Sequence, residues 1–134
     1  MATTIASINI TSTDLLSDSL SLSAIATLTT AGSSTGLTHT EGLGRKTLAS
    51  GHAQYVLFDG GGRTADKAHK IYLKNLSSTA AEYFLITVNG EDMGRLYAGD
   101  WAFFPWSAHD ADNDIKIDPS ANSMTLEYML FTDD

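Results

Sequence analysis

Apolar residues recur at every second position in short runs along this chain, and no segment carries an apolar stripe at helical spacing. From Ser19 to Thr29, Leu20, Leu22, Ala24, Ala26 and Leu28 share one parity, with Ser21, Ser23 and Thr27 on the other. Successive strand side chains point to opposite faces, so this alternation predicts a strand with one apolar and one hydroxyl face, broken only by Ile25. Ile5 to Thr11 repeats the pattern with Ile8 and Ile10 opposite Asn9 and Thr11, which suits an edge strand or a mobile arm. Between the two runs, Asp14 to Asp18 allows one helical turn around Leu15 and Leu16.

Residues 31–51 break the alternation. They hold Gly32, Gly36, Gly42, Gly44 and Gly51, and little apolar content beyond Leu37, Leu43 and Leu48. The expectation is a long loop or arm lying on a neighbouring surface, because loops beyond about 12–15 residues are either functional or disordered. Ser and Thr concentrate in the first fifty residues, which hold twenty of the thirty. Their hydroxyls compete for backbone hydrogen bonds and disfavour helix.

From residue 52 the strands are clearer. Gln54–Phe58, His69–Leu76, Glu82–Val88, Met93–Tyr97, Trp101–Trp106, Ile115–Asp118 and Met124–Phe131 read as seven short strands. Asp59-Gly60-Gly61-Gly62, Asn89-Gly90, Gly99-Asp100, Pro105 and Pro119 punctuate them. Asn-Gly is the dipeptide that best accepts the positive φ of a tight hairpin. Turn signals every eight to twelve residues predict an all-β antiparallel sandwich, jelly-roll-like. It should be built from residues 52–134, preceded by an N-terminal strand and extended arm over 1–51, with the strand at 19–29 joining or bridging to it.

The 134 residues suffice for one core that buries roughly 65–70% of the unfolded surface. With no cysteine, disulfides, thiolate metal sites and cysteine nucleophiles are excluded. Eight Lys and Arg against sixteen Asp and Glu leave a net charge of −8, which repels phosphate backbones and anionic lipid. The expectation is therefore no nucleic-acid and no membrane partner. No apolar run reaches a membrane span and residues 1–10 lack a signal-peptide pattern, so synthesis in a cytoplasm is expected.

Local spacing offers no catalytic set. Gly60-Gly61-Gly62-Arg63-Thr64 lacks the Gly-Lys-Ser/Thr of a phosphate loop, and a flexible turn is the preferred reading. Asp110, Asp112 and Asp114 have the spacing of the first three ligands of a calcium loop, but Ile115 stands where Gly is required and Ala121 where Glu is required. A solvated acidic loop is the simpler reading. His39, His52, His69 and His109 are scattered, and no Gly-x-Ser-x-Gly elbow occurs. No catalytic residue, metal site or cofactor is expected. The glycosylation-like triplets at Asn9 and Asn75 read as chance matches.

Tyr97, Trp101, Phe103, Phe104 and Trp106 gather five of the twelve aromatics into ten residues. On a strand, Trp101 and Phe103 share one face and Phe104 and Trp106 the other, so both faces need apolar cover. One must be core. The other is left for a second protein copy, the chain's own arm or a sugar, in that order.

The succession Lys70-Ile71-Tyr72-Leu73-Lys74-Asn75, Glu82-Tyr83-Phe84, Met93 to Trp106 and Met124-Thr125-Leu126-Glu127-Tyr128 resembles small virion structural proteins of tailed phages, particularly contractile-tailed phages of marine cyanobacteria. Gly36-Leu37 and Gly42-Leu43-Gly44-Arg45-Lys46 also fit. The resemblance implies a non-enzymatic structural protein of the virion, made in the host cytoplasm. The first expectation under it is a capsid cement or decoration protein, a homotrimer or other homo-oligomer that binds and stabilises the major capsid protein. A tail, neck or baseplate component is the alternative, and a carbohydrate-binding module on the virion surface the third. The partner-binding residues expected are Leu37, Leu43 and Arg45 in the arm, with Tyr97, Trp101, Phe104 and Trp106 in the aromatic segment.

Overall fold

The computed structural model describes residues 3–37 and 39–133. Residues 1, 2, 38 and 134, which belong to the two expected regions 1–51 and 52–134, lie outside the described residues. Within them the chain is all-β and antiparallel, and its only helical element is a 3₁₀ turn at Ala111–Asn113. The strands are β1 (Thr4–Ser12), β2 (Leu20–Leu28), β3 (His39–Leu48), β4 (Tyr55–Phe58), β5 (Lys70–Asn75), β6 (Tyr83–Val88), β7 (Glu91–Tyr97), β8 (Trp101–Pro105), β9 (Ile115–Pro119) and β10 (Met124–Thr132). Two units divide between residues 37 and 39.

The first unit is a two-stranded ribbon, β1 paired with β2 from Thr4↔Leu28 to Ser12↔Leu20. This register puts Ala6, Ile8, Ile10, Leu20, Leu22, Ala24, Ala26 and Leu28 on one face. Ser7, Asn9, Thr11, Ser21, Ser23 and Thr27 share the other with Ile5 and Ile25. Neither strand carries a charge. The expected helical turn at 14–18 is instead a series of bends. There the Ser12 hydroxyl donates to Asp14 (3.0 Å) and accepts the Leu15 N–H (3.1 Å), a local bond that competes with helix. After β2 the chain closes a turn in which the Thr30 N–H meets the Thr35 carbonyl (2.8 Å) and the Leu37 N–H meets that of Leu28 (3.0 Å). Leu28 and Leu37 are buried.

The second unit is built of two four-stranded sheets, β3-β10-β5-β8 and β4-β9-β6-β7. Its ladders are nested around the β6–β7 turn: β6 pairs with β7, β5 with β8, β4 with β9 and β3 with β10. That turn is Asn89-Gly90, with φ of 53° and 74°, the left-handed pair a tight hairpin requires. Alternate residues of both sheets point into one core. Ile71, Leu73, Leu126 and Leu130 from one sheet and Phe84, Ile86, Ile115 and Ile117 from the other lie in it. At roughly 1.5–3 kcal/mol per large apolar side chain, this cluster is the dominant stabilising term of the unit. Asn75 is fully buried, yet its side chain donates to the carbonyls of Glu82 (3.3 Å) and Leu96 (3.0 Å) and accepts the Ser77 N–H (2.9 Å). A buried amide satisfied in this way ties β5 to the segments on either side of β6, and it places the Asn75 triplet out of reach of a glycan.

The sandwich therefore has eight strands rather than seven. Residues 39–48, expected as part of a loop or arm, form β3 and pair with β10 along Met124↔Leu48 to Thr132↔His39. The glycines that argued against a strand have local jobs. Gly42 (φ +83°) lies beside the β-bulge opposite Met129 and Phe131, and a Cβ at Gly44 would stand 2.7 Å from the Tyr128 ring. Residues 39–51 of the expected arm thus belong to the sandwich unit. The expected bridging strand, β2, has β1 as its ladder partner and no strand of the two larger sheets.

Candidate functional site

The chain's exposed surface is organised by the same registers that build its core. Across the β3-β10-β5-β8 sheet, Leu43, Met129, Tyr72 and Phe103 align in one row, and Arg45, Glu127, Lys74 and Trp101 in the next. All alternate with core residues, so all point outward. Phe131 extends the apolar row, its ring 6.2 Å from that of Phe103 at 75°. Leu43 (62%) and Trp101 (50%) are well exposed, while Met129, Tyr72, Phe103 and Phe131 are half-buried.

The polar row beside it is held in place. Arg45 donates from Nε (3.0 Å) and its terminal nitrogen (2.9 Å) to one Glu127 oxygen, and the Tyr72 hydroxyl donates to the other (3.1 Å). The Arg45 hydrogen bond holds the Glu127 carboxyl below the usual glutamate range, helped by Tyr72 and opposed by desolvation. Burial, then the bond to Glu127, push the Tyr72 phenol up. At the next outward position Lys70 donates to the Ala68 carbonyl (2.8 Å), and burial lowers its pKa against the pull of Asp133.

Of the residues expected to bind a partner, Leu43, Arg45 and Trp101 come together on this face. Tyr97 lies on β7 of the other sheet, its ring 5.3 Å from Tyr83, with the Arg95 guanidinium 4.9 Å from the Tyr83 ring. The other three need correction. Trp106 is buried at 3% exposure, donating its indole N–H to the Asn113 carbonyl (2.8 Å), and Phe104 packs against the core. Leu37 is buried at 3%. The aromatic strand's core face is thus that of Phe104 and Trp106, and its outward face that of Trp101 and Phe103.

Met129, Tyr72, Phe103 and Phe131 did not appear among the expected contacts. The signal was present: in Met124–Phe131 the odd positions are Thr125, Glu127, Met129 and Phe131, and the even ones are the core residues Met124, Leu126 and Leu130 with Tyr128, which packs against them. Large apolar groups on the outward parity are the mark of a covered face.

The acidic and glycine-rich segments serve the fold. Asp110 caps the 3₁₀ turn by accepting the Asp112 N–H (3.0 Å), and Asp114 accepts the Gly60 N–H (2.8 Å). Gly60 itself passes so close to the Asp110 carbonyl oxygen that a Cβ would collide with it. Its glycine is needed for that approach. The histidines occupy separate surroundings: His52 meets Tyr55 edge-on, His69 is buried near Trp106, and His109 contacts Asp110 at 3.3 Å. Among the described residues no group of three or more histidines and carboxylates could hold a metal. An open cleft of about 290 Å³ is bordered by Glu91, Met93, Phe104 and Trp106, at the lower limit for a small-molecule site.

No family model, curated protein or solved structure matches this chain.

Proposed function

We propose that this chain is a non-enzymatic structural protein of a tailed-phage virion, a capsid cement or decoration protein that binds the major capsid shell and stabilises it. The observation that carries the reading is the pair of unpartnered apolar sheet faces. The ribbon's face bears Ile8, Ile10 and Leu22, the sandwich's outer face bears Leu43 and Trp101, and all five are exposed. Such faces suit wide protein contact better than chemistry on a small molecule. The nested ladders of β3 to β10 support it further. A long hairpin rolled so that its arms pair strand by strand is the jelly-roll arrangement, which capsid and lectin domains share. Fold alone does not assign function, so the sequence resemblance and the exposed faces carry the step from jelly roll to virion. Multivalency adds to a shell contact, because several weak docking faces held in one oligomer exceed any one of them by orders of magnitude.

The test is the copy number and position of the protein in purified particles, with the heat stability of particles that lack it. A cement protein is present at hundreds of copies, and stripped particles release their genome at lower temperature than complete ones. Localisation to the tail, with stripped particles as robust as complete ones, would replace this reading with a tail, neck or baseplate component. Glycan binding that disappears in Trp101→Ala would replace it with a carbohydrate-binding module.

A further inference from the structure

A two-stranded ribbon is marginally stable in water on its own, and this one leaves Ile8 (36%), Ile10 (46%) and Leu22 (47%) exposed on its apolar face. The outer face of the β3-β10-β5-β8 sheet presents a second apolar band. We propose that the apolar face of the β1–β2 ribbon docks on the outer face of the β3-β10-β5-β8 sheet of a second copy of this chain, across the row Leu43, Met129, Tyr72 and Phe103. The inference deepens the assembly reading and rests on its claim that the chain acts as an oligomer; it does not depend on which shell the oligomer binds.

Charge selects the occupant. The ribbon's strands have no charged residue, and the bends that join them hold Asp14 and Asp18 with no basic residue. On the sandwich face the outward charges around the apolar row are Arg45, Lys70 and Lys74 against Glu127 and the Asp133 carboxylate that acts on Lys70, an excess of one positive charge by that count. An apolar ribbon with an acidic tip therefore meets an apolar row bordered by bases. The reverse side, where hydroxyls and Asn9 surround Ile5 and Ile25, leaves the docked ribbon a mostly polar surface toward solvent.

Size sets the form of the exchange. Nine residues per strand give a ribbon about 30 Å long and roughly 10 Å wide, so a single docking covers on the order of 300 Å² per side. Specific interfaces begin at about 600 Å² per partner. A chain that both gives its ribbon and receives another covers roughly twice the single figure. A closed exchange, reciprocal in a pair or sequential in a ring, also leaves no face open, whereas an open series would grow into filaments. The assembly should therefore be closed.

The chain has no cysteine, so single engineered thiols report contacts unambiguously. Tagged full-length Ile8→Cys is mixed with untagged Phe103→Cys and oxidised; Ser21→Cys, on the ribbon's hydroxyl face, replaces Ile8→Cys in the control. The proposal expects a disulfide between the two chains for the first pair, with at least a tenfold lower yield for the control. Light scattering of the unmodified protein should give a discrete multiple of the single-chain mass, falling to one chain in the double variant Ile8→Asp/Leu22→Asp. Equal yields from both ribbon faces, a single-chain mass at every concentration, or closure only within one chain when both thiols are on it, would each overturn the proposal. Because the readout is in solution, an intact oligomer that fails to bind particles overturns the shell reading alone. A single chain that still binds them overturns this one alone.

Discussion

The ribbon and the sandwich are made by the same rule and end in opposite conditions. Both alternate apolar and polar residues with period two, and both are antiparallel. In the sandwich each apolar face meets another across the core, and Ile71, Leu73, Phe84, Ile115, Ile117, Leu126 and Leu130 reach zero exposure. In the ribbon the alternation is broken only by Ile5 and Ile25, yet Ile8, Ile10 and Leu22 stay exposed. Alternation makes a face; a second layer is needed to bury it. The ribbon keeps one such face exposed and the outer surface of the β3-β10-β5-β8 sheet bears another; these are the two faces that the proposed assembly joins.

Three sets of variants break or sharpen this contrast. The largest effect belongs to the core. Phe84→Ala should destabilise the sandwich by about 3–5 kcal/mol, whereas Ile8→Asp should shift unfolding of the same unit by less than about 0.5 kcal/mol, measured by urea denaturation of the single chain. A comparable loss for Ile8→Asp would mean that the ribbon is part of the sandwich's core. Next is Gly60→Ala, whose new methyl group meets the Asp110 carbonyl; displacing that backbone should cost about 1–3 kcal/mol, seen as a lower melting temperature with the oligomer's mass unchanged.

The smallest is electrostatic. Since Arg45 lowers the pKa of Glu127 in the folded state, the carboxylate contributes stability that is fully present above the ordinary glutamate value. That contribution is lost as pH falls from there through the lowered folded value. Glu127→Gln should remove it, so the stability difference between the parent and the variant should shrink on acidification across that window. A difference that stays constant with pH would show that the Arg45–Glu127 pair has no net effect.

What was legible in the sequence follows from these same residues. Nine of the ten strands announce themselves by period two and by turn residues, and Asn89-Gly90 marks its hairpin because few other dipeptides accept two positive φ values. β3 was hidden. Its Gly42 and Gly44 look like loop residues until the bulge and the Tyr128 ring explain them. The candidate face was legible in part, since Leu43, Arg45 and Trp101 stand on it. Their common face depends on β3 lying beside β10 and β8 beside β5, pairings between residues far apart in sequence. Trp106 illustrates the converse. Sequence parity grouped it with Phe104 and opposed it to Trp101, but only the second sheet decides which of the two parities is covered.

The central claim, that the ribbon's apolar face is completed by another chain, is tested most directly by hydrogen exchange along the full-length protein. It is read by mass spectrometry, once diluted to the single-chain state and once concentrated to the oligomer. The account predicts that amides of β5, β6, β9 and β10 are protected in both. Those of β1 and β2 should exchange quickly in the single chain and become protected, by at least an order of magnitude in rate, on assembly. Equal protection of β1 and β2 in a proven single chain and in the oligomer would contradict it.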